Sequence, residues 1–269
     1  MSVTAREVKK ASLPNGVTLA YSDTGGDAPA VVFAHGFMLD HTMFDAQVDA
    51  LRDDYRVVAW TARGHGETSD SGGTYTYWDS ARDLLMLLDK LEIDDAVLAG
   101  MSQGGFIALR AALLAPQREV GLVLIDSQAG VENPELAPLY EAMANQWVTE
   151  GPSEDLARTA VSLILSDDPA LLDVWVPRAM ARPQEALMPP FRCLMDRDDI
   201  TDRLGEITSP ALVIHGTADA SIPMERAEEL AAGLPNASSL VKIQGGAHAS
   251  NVTHPAEVNA AIREFLATL

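Results

Sequence analysis

The chain has 269 residues, 47% of them hydrophobic, so it can bury a full core and reads as one α/β domain with room for an inserted subdomain. Its net charge of -20 disfavours nucleic acid and anionic membranes as partners and otherwise reads as solubility. No apolar run reaches the roughly 18 residues of a membrane span, MSVTAREVKK lacks the apolar segment of a secretory leader, which points to the cytoplasm, and the single Cys193 excludes an intrachain disulfide and a cysteine metal cluster.

From Val3 to Ser22 the pattern is two strands joined by the turn Pro14-Asn15-Gly16, with Val17, Leu19 and Tyr21 alternating in the second, and it predicts an antiparallel hairpin. Ala30 to Ala34 is a continuous apolar run of the kind a strand buried on both faces requires, and His35-Gly36-Phe37 follows it directly. Helical spacing from Met43 to Leu51, a strand from Tyr55 to Trp60, the tight loop Arg63-Gly64-His65-Gly66 and an amphipathic helix from Trp78 to Leu91 come next.

The run Ala96 to Phe106 is the one around which the rest is organised. A short apolar strand enters the turn Gly100-Met101-Ser102-Gln103-Gly104 and leaves as a helix-forming segment, Ile107 to Leu114. Glycines two residues either side of Ser102 fit a turn so tight that side chains there would collide, with the central residue strained and its hydroxyl exposed between strand and helix. The helix N-terminus adds free N–H groups and a partial positive charge, which favour an oxygen that becomes anionic.

Val120 to Ile125 repeats the buried-strand pattern and ends at Asp126, and the alternation so far predicts a parallel sheet with helices on both faces. It then stops. Between residues 127 and 208 only helical segments are legible, Pro134 to Glu150, Ser153 to Leu165, Pro169 to Ala181 and Pro183 to Met195, which reads as an inserted lid. Its apolar residues include Met143, Trp147, Leu163, Trp175, Met180, Met188 and Met195, and thioethers beside aromatics suit a pocket for varied apolar groups as well as they suit glue between helices.

Alternation resumes with the strand Ala211 to Ile214, followed by His215-Gly216-Thr217-Ala218-Asp219, a helix opened by Pro223, the strand Ser239 to Ile243, the loop Gln244 to His248 and a closing helix from Pro255 to Leu269. Asp219 and His248 both lie just past strand ends, at the edge of a parallel sheet where ligands bind. The expected division is a core of 1–126 and 209–269 and a lid of 127–208, on a mostly parallel eight-stranded sheet.

On His35-Gly36-Phe37, Arg63-Gly64-His65-Gly66, Gly100-Met101-Ser102-Gln103-Gly104, Gly216-Thr217-Ala218-Asp219 and Gly246-Ala247-His248, the chain resembles lidded serine esterases of the α/β-hydrolase superfamily over nearly its whole length. The run from His35 through Trp60 to Gly66 is loosely similar to β-ketoadipate enol-lactonases. The resemblance implies a Ser102, Asp219, His248 triad, an oxyanion hole from the backbone N–H groups of Phe37 and Gln103, and no metal or cofactor. A serine hydroxyl needs a base within about 3 Å; His248 is suited to that task and Asp219 to holding its tautomer.

Phe37, Met101, Trp147 and Trp175 are the candidate substrate-binding residues, and the implied partner is a small apolar ester or lactone. The serine argues against epoxide hydrolases and haloalkane dehalogenases, which carry aspartate there, while a carbon–carbon hydrolase, a perhydrolase or a slow-turnover ligand receptor remains compatible. Asp126 is the rival for the acid. His35, His65 and His215 are read as satisfying loop backbone groups, His41 and His254 as surface residues, and Asp94 and Asp95 as turn formers. Substrate identity and oligomeric state are not legible.

Overall fold

A computed structural model describes residues 6–70 and 72–269, so the first residues of the expected hairpin, 3–5, lie outside the described residues. Eight strands form one sheet: β1 (Lys9–Ser12), β2 (Thr18–Asp23), β3 (Ala30–Ala34), β4 (Arg56–Thr61), β5 (Ala96–Met101), β6 (Glu119–Ile125), β7 (Ala211–Gly216) and β8 (Val241–Ile243), in the order β1-β2-β4-β3-β5-β6-β7-β8. β1 and β2 pair antiparallel, β2 joins β4 antiparallel, and every pair from β4 onward is parallel.

Helices cover both faces: α1 (Asp45–Leu51), α2 (Tyr77–Lys90), α3 (Gln103–Leu114), α4 (Ala137–Glu150), α5 (Glu154–Leu165), α6 (Pro169–Met180), α7 (Met188–Met195), α8 (Met224–Gly233), α9 (Ser250–Thr253) and α10 (Pro255–Leu266). β3, β5 and β7 are buried at every residue, and that is why β3, β5 and the Ala211 to Ile214 part of β7 read as unbroken apolar runs. Alternate side chains serve two cores: Val32 and Leu98 pack toward α2 and α3, Val31 and Ala99 toward α1, α10 and the lid. α2 starts where the sequence supplies a reciprocal cap, Thr76 accepting from the Asp79 N–H while Asp79 accepts from the Thr76 N–H.

The helical insertion consists of α4 to α7, between β6 and β7. Two details depart from expectation. The segment expected to be a single helix from Pro183 to Met195 is a 3-10 turn, Gln184–Leu187, followed by α7, because Pro189 and Pro190 lack N–H groups and are best accommodated in a helix's first turn. A further 3-10 turn, Thr201–Glu206, lies within the span expected to be lid, yet Ile200, Leu204 and Ile207 pack with Leu230 of α8 in the core beneath the sheet. No helix among the described residues is long and apolar enough to cross a membrane.

Candidate active site

Ser102 is the junction of β5 and α3. Its φ of 51° and ψ of -115° place an L-residue in a region it rarely enters, and such strain persists only where the surroundings enforce it. Here they do: its N–H donates to the Ile125 carbonyl (2.9 Å), and its carbonyl accepts from the Gly105 N–H (2.8 Å) and from Ser127 Oγ (2.9 Å). A Cβ on Gly100 would run into the Gly104 backbone, and one on Gly104 into the Ala34 carbonyl, so neither position admits a side chain.

His248 follows β8 and reaches the serine from the other side. Its Nε2 lies 3.0 Å from Ser102 Oγ and its Nδ1 lies 2.8 Å from Asp219 Oδ2. Nδ1–H therefore donates to the carboxylate, and Nε2 is left to accept the serine proton. Asp219 Oδ1 accepts from the N–H groups of Ser221 (2.8 Å) and Ile222 (2.9 Å), which fixes the carboxylate's orientation. Burial pushes Asp219 up, but His248 beside it and the Ile222 N–H outweigh that and hold it below its usual range. Burial likewise works to neutralise His248, and the Asp219 charge outweighs it, leaving the imidazole a stronger base than a free histidine.

The rival acid, Asp126, is fully buried, and its carboxylate accepts from the Gly216 N–H (2.7 Å) and the Ser250 N–H (2.8 Å). It thus ties the loop that carries Asp219 to the loop that carries His248 without touching the imidazole itself. Burial, and then the Asp219 charge, push it up to about 7. Asp126, His215 and Asp219 bring donor atoms within 4.8 Å of one another. Both carboxylates are already capped by backbone N–H groups and His215 Nε2–H donates to the Ile222 carbonyl (2.9 Å), which suits an orienting network rather than a cation.

Phe37 and Gln103 sit where the loop after β3 meets the start of α3, and among the described residues neither backbone N–H has a hydrogen-bond partner. His35 lies behind them: its Nε2 accepts from the Ala62 N–H (3.0 Å), and burial holds its pKa down at about 4, so it is a neutral prop. His65 Nδ1–H donates to the Arg63 carbonyl (2.8 Å) and its ring edge meets Phe37. His35, His65 and His215 thus all serve loop backbone. His41, expected on the surface, is buried against the end of β4, with its Nδ1 2.8 Å from Thr61 Oγ1.

A cavity opens above Ser102 and His248, with about 880 Å³ of empty space when the open solvent at its mouth is included. Phe37, Met101 and Phe106 of the core line its floor; Met143, Trp147 and Leu163 of the lid are among its walls. Trp175 is not among the lining residues: it is buried in the lid, where α6 packs on α5, with the Arg178 guanidinium 4.8 Å from its ring. Met180, Met188 and Met195 also pack away from the cavity. Sequence reasoning missed Glu132, Tyr140, Ser221 and Ile222 on the cavity wall. The last two were within reach, since they follow Asp219 in the same loop.

With this geometry in place, the match to known proteins is informative. Residues 29–255 match the model of the α/β hydrolase fold family, and the chain belongs to that family. A relative is 3-oxoadipate enol-lactonase 1 of Acinetobacter baylyi, 30% identical over 76% of this chain and 77% of its own length. Among solved structures, a thermophilic esterase from Thermogutta terrifontis superposes with a TM-score of 0.86 at 30% identity, covering 97% of this chain and 98% of that one. The enol-lactonase from Burkholderia xenovorans LB400 gives 0.88 at 27% identity, covering 96% and 100%.

Proposed function

We propose that this hydrolase cleaves a carboxylic ester or lactone through an acyl-enzyme on Ser102. The observation that carries the reading is the continuous chain Ser102 Oγ, His248 Nε2, His248 Nδ1, Asp219 Oδ2, with contacts of 3.0 and 2.8 Å. As Oγ attacks the carbonyl carbon, its proton passes to His248 Nε2, and Asp219 stabilises the resulting imidazolium. The carbonyl oxygen becomes an oxyanion against the N–H groups of Phe37 and Gln103, where one donor of this kind contributes about 3 kcal/mol of transition-state stabilisation. His248 then protonates the departing alcohol oxygen. In the second half, His248 takes a proton from water, whose oxygen attacks the acyl carbon, and Ser102 recovers its proton as the acid leaves.

The esterase and enol-lactonase relatives support the choice of an ester or lactone carbonyl. In this reading α4 to α7 act as a lid whose apolar wall receives the acyl or alcohol group and excludes water from the oxyanion, and no metal or cofactor enters the cycle. The test is hydrolysis of short, medium and aromatic p-nitrophenyl esters and of simple lactones by wild type and Ser102→Ala. Multiple turnovers lowered by at least about 10⁴-fold in Ser102→Ala are expected. A folded wild type that turns over none of them would move the reading to a carbon–carbon hydrolase or a receptor, and an active Ser102→Ala would remove the mechanism.

A further inference from the structure

The cavity's charge lining is lopsided. Apart from Ser102 and His248, its polar wall is Glu132, Tyr140 and Ser221, and none of the described lining residues is a lysine or an arginine. The cation that pairs with that wall, Arg197, does not itself line the cavity, and its Nε and Nη1 are engaged elsewhere while its Nη2 is buried without a partner among the described residues. Its side chain is 1% exposed, and it donates to Glu132 (3.1 Å) and to the carbonyls of Gly130 (3.0 Å) and Leu194 (2.8 Å). Its guanidinium lies on the Phe106 ring at 4.6 Å. The Glu132–Arg197 pair therefore offers the cavity no net positive charge, and the other Glu132 oxygen is capped by the Asn133 N–H (3.0 Å).

We infer that the site selects an uncharged ester or lactone and excludes one that carries a carboxylate, an inference that deepens the hydrolase reading and depends on it. A carboxylate that leaves water for an apolar cavity needs a cation or several donors to offset its desolvation, and beyond Ser102 and His248 the described wall offers no cation and only the Tyr140 and Ser221 hydroxyls. Before entry, the net charge of -20 lowers the local concentration of anions around the molecule. An amine-bearing ester faces a desolvation cost of the same kind but is not repelled by the net charge and has the Glu132 carboxylate on the wall, so it is tolerated better than its acid counterpart.

Three substrates of one chain length test this: methyl hexanoate, monomethyl adipate and methyl 6-aminohexanoate, followed by pH-stat titration. In wild type kcat/KM for methyl hexanoate exceeds that for monomethyl adipate by about 100-fold or more, with the amine between them, and the gap narrows several-fold from low to high salt as screening removes long-range repulsion. Glu132→Gln leaves Arg197 without its counter-charge, so the neutral-to-anionic ratio falls about 10-fold. Equal rates on the two in wild type, or a folded Glu132→Gln with an unmoved ratio, would overturn the inference. If Glu132→Gln does not fold, the wild-type ratio and its salt dependence decide alone. If wild type hydrolyses none of the three, the hydrolase reading fails separately, and titration of methyl hexanoate and monomethyl adipate into Ser102→Ala, followed by tryptophan fluorescence, still decides the charge selection. A response to the neutral ester alone supports it, and equal responses, including none, overturn it.

Discussion

The floor and the roof of the cavity are built on opposite plans. Below, Ser102, Asp219 and His248 stand on loops at the ends of β5, β7 and β8, each held by backbone N–H groups or by its neighbours within 3.0 Å. Above, α4, α5 and α7 contribute apolar side chains that hydrogen-bond to nothing and are fixed only by packing, with unbranched Met143 and the indole of Trp147 among them. The floor holds its polar side chains in place through hydrogen bonds. The roof sets only volume and polarity, so it can change with the substrate while the chemistry stays the same.

The sharpest break in that comparison is within the floor itself, between its two buried aspartates. Asp219→Asn removes the acceptor that selects the His248 tautomer and lowers kcat by about 10⁴-fold, whereas Asp126→Asn, whose carboxylate accepts hydrogen bonds from backbone N–H groups and not from His248, lowers it by about 10-fold or less, both read by steady-state kinetics. Asp126 has a second signature. Its pKa in the fold, about 7, lies above its ordinary value of 3.8, so the stability it contributes is present below about pH 4 and lost as the pH rises through about 7. Melting of wild type therefore falls more steeply from pH 5 to pH 8 than melting of Asp126→Asn; the residual slope belongs in part to Glu119, which burial also pushes up to about 7.

A smaller effect separates two tryptophans of the roof. Trp147→Ala and Trp175→Ala each remove a large buried ring and each cost about 3–5 kcal/mol of stability by chemical denaturation. Only Trp147→Ala enlarges the cavity, so it moves the preferred acyl chain of the ester series to longer chains by a few carbons, at a cost of a few-fold in kcat/KM on short ones. The same chain-length optimum in both variants would mean that the cavity wall is not where substrate lies.

The same division governs what the sequence reveals. Strands buried on both faces must be apolar throughout, and the elbow must have glycine at 100 and 104, so the sheet and the order of its motifs are legible in the residue types, while the Ser102 and His248 pairing is legible through the resemblance those motifs carry. Asp126 and Asp219 both lie past strand ends, and no local pattern says which carboxylate meets the imidazole, since that depends on loop path through space. In the lid, spacing gives helices but not the direction in which they face. Trp175 and Trp147 are equivalent in sequence, yet Trp175 is buried where α6 packs on α5 and does not line the cavity. Prolines 189 and 190 do announce the break before α7, and reading them as a helix start rather than as helix interior would have found it.

The central claim is that Ser102 is made nucleophilic by His248, and covalent labelling tests it most directly. Intact-mass and peptide analysis after brief exposure to an alkyl fluorophosphonate should find one adduct per chain, on Ser102, absent in Ser102→Ala and formed at least about 100-fold more slowly in His248→Ala. A folded wild type that takes up no phosphonate, or takes it up at another residue, would contradict the account.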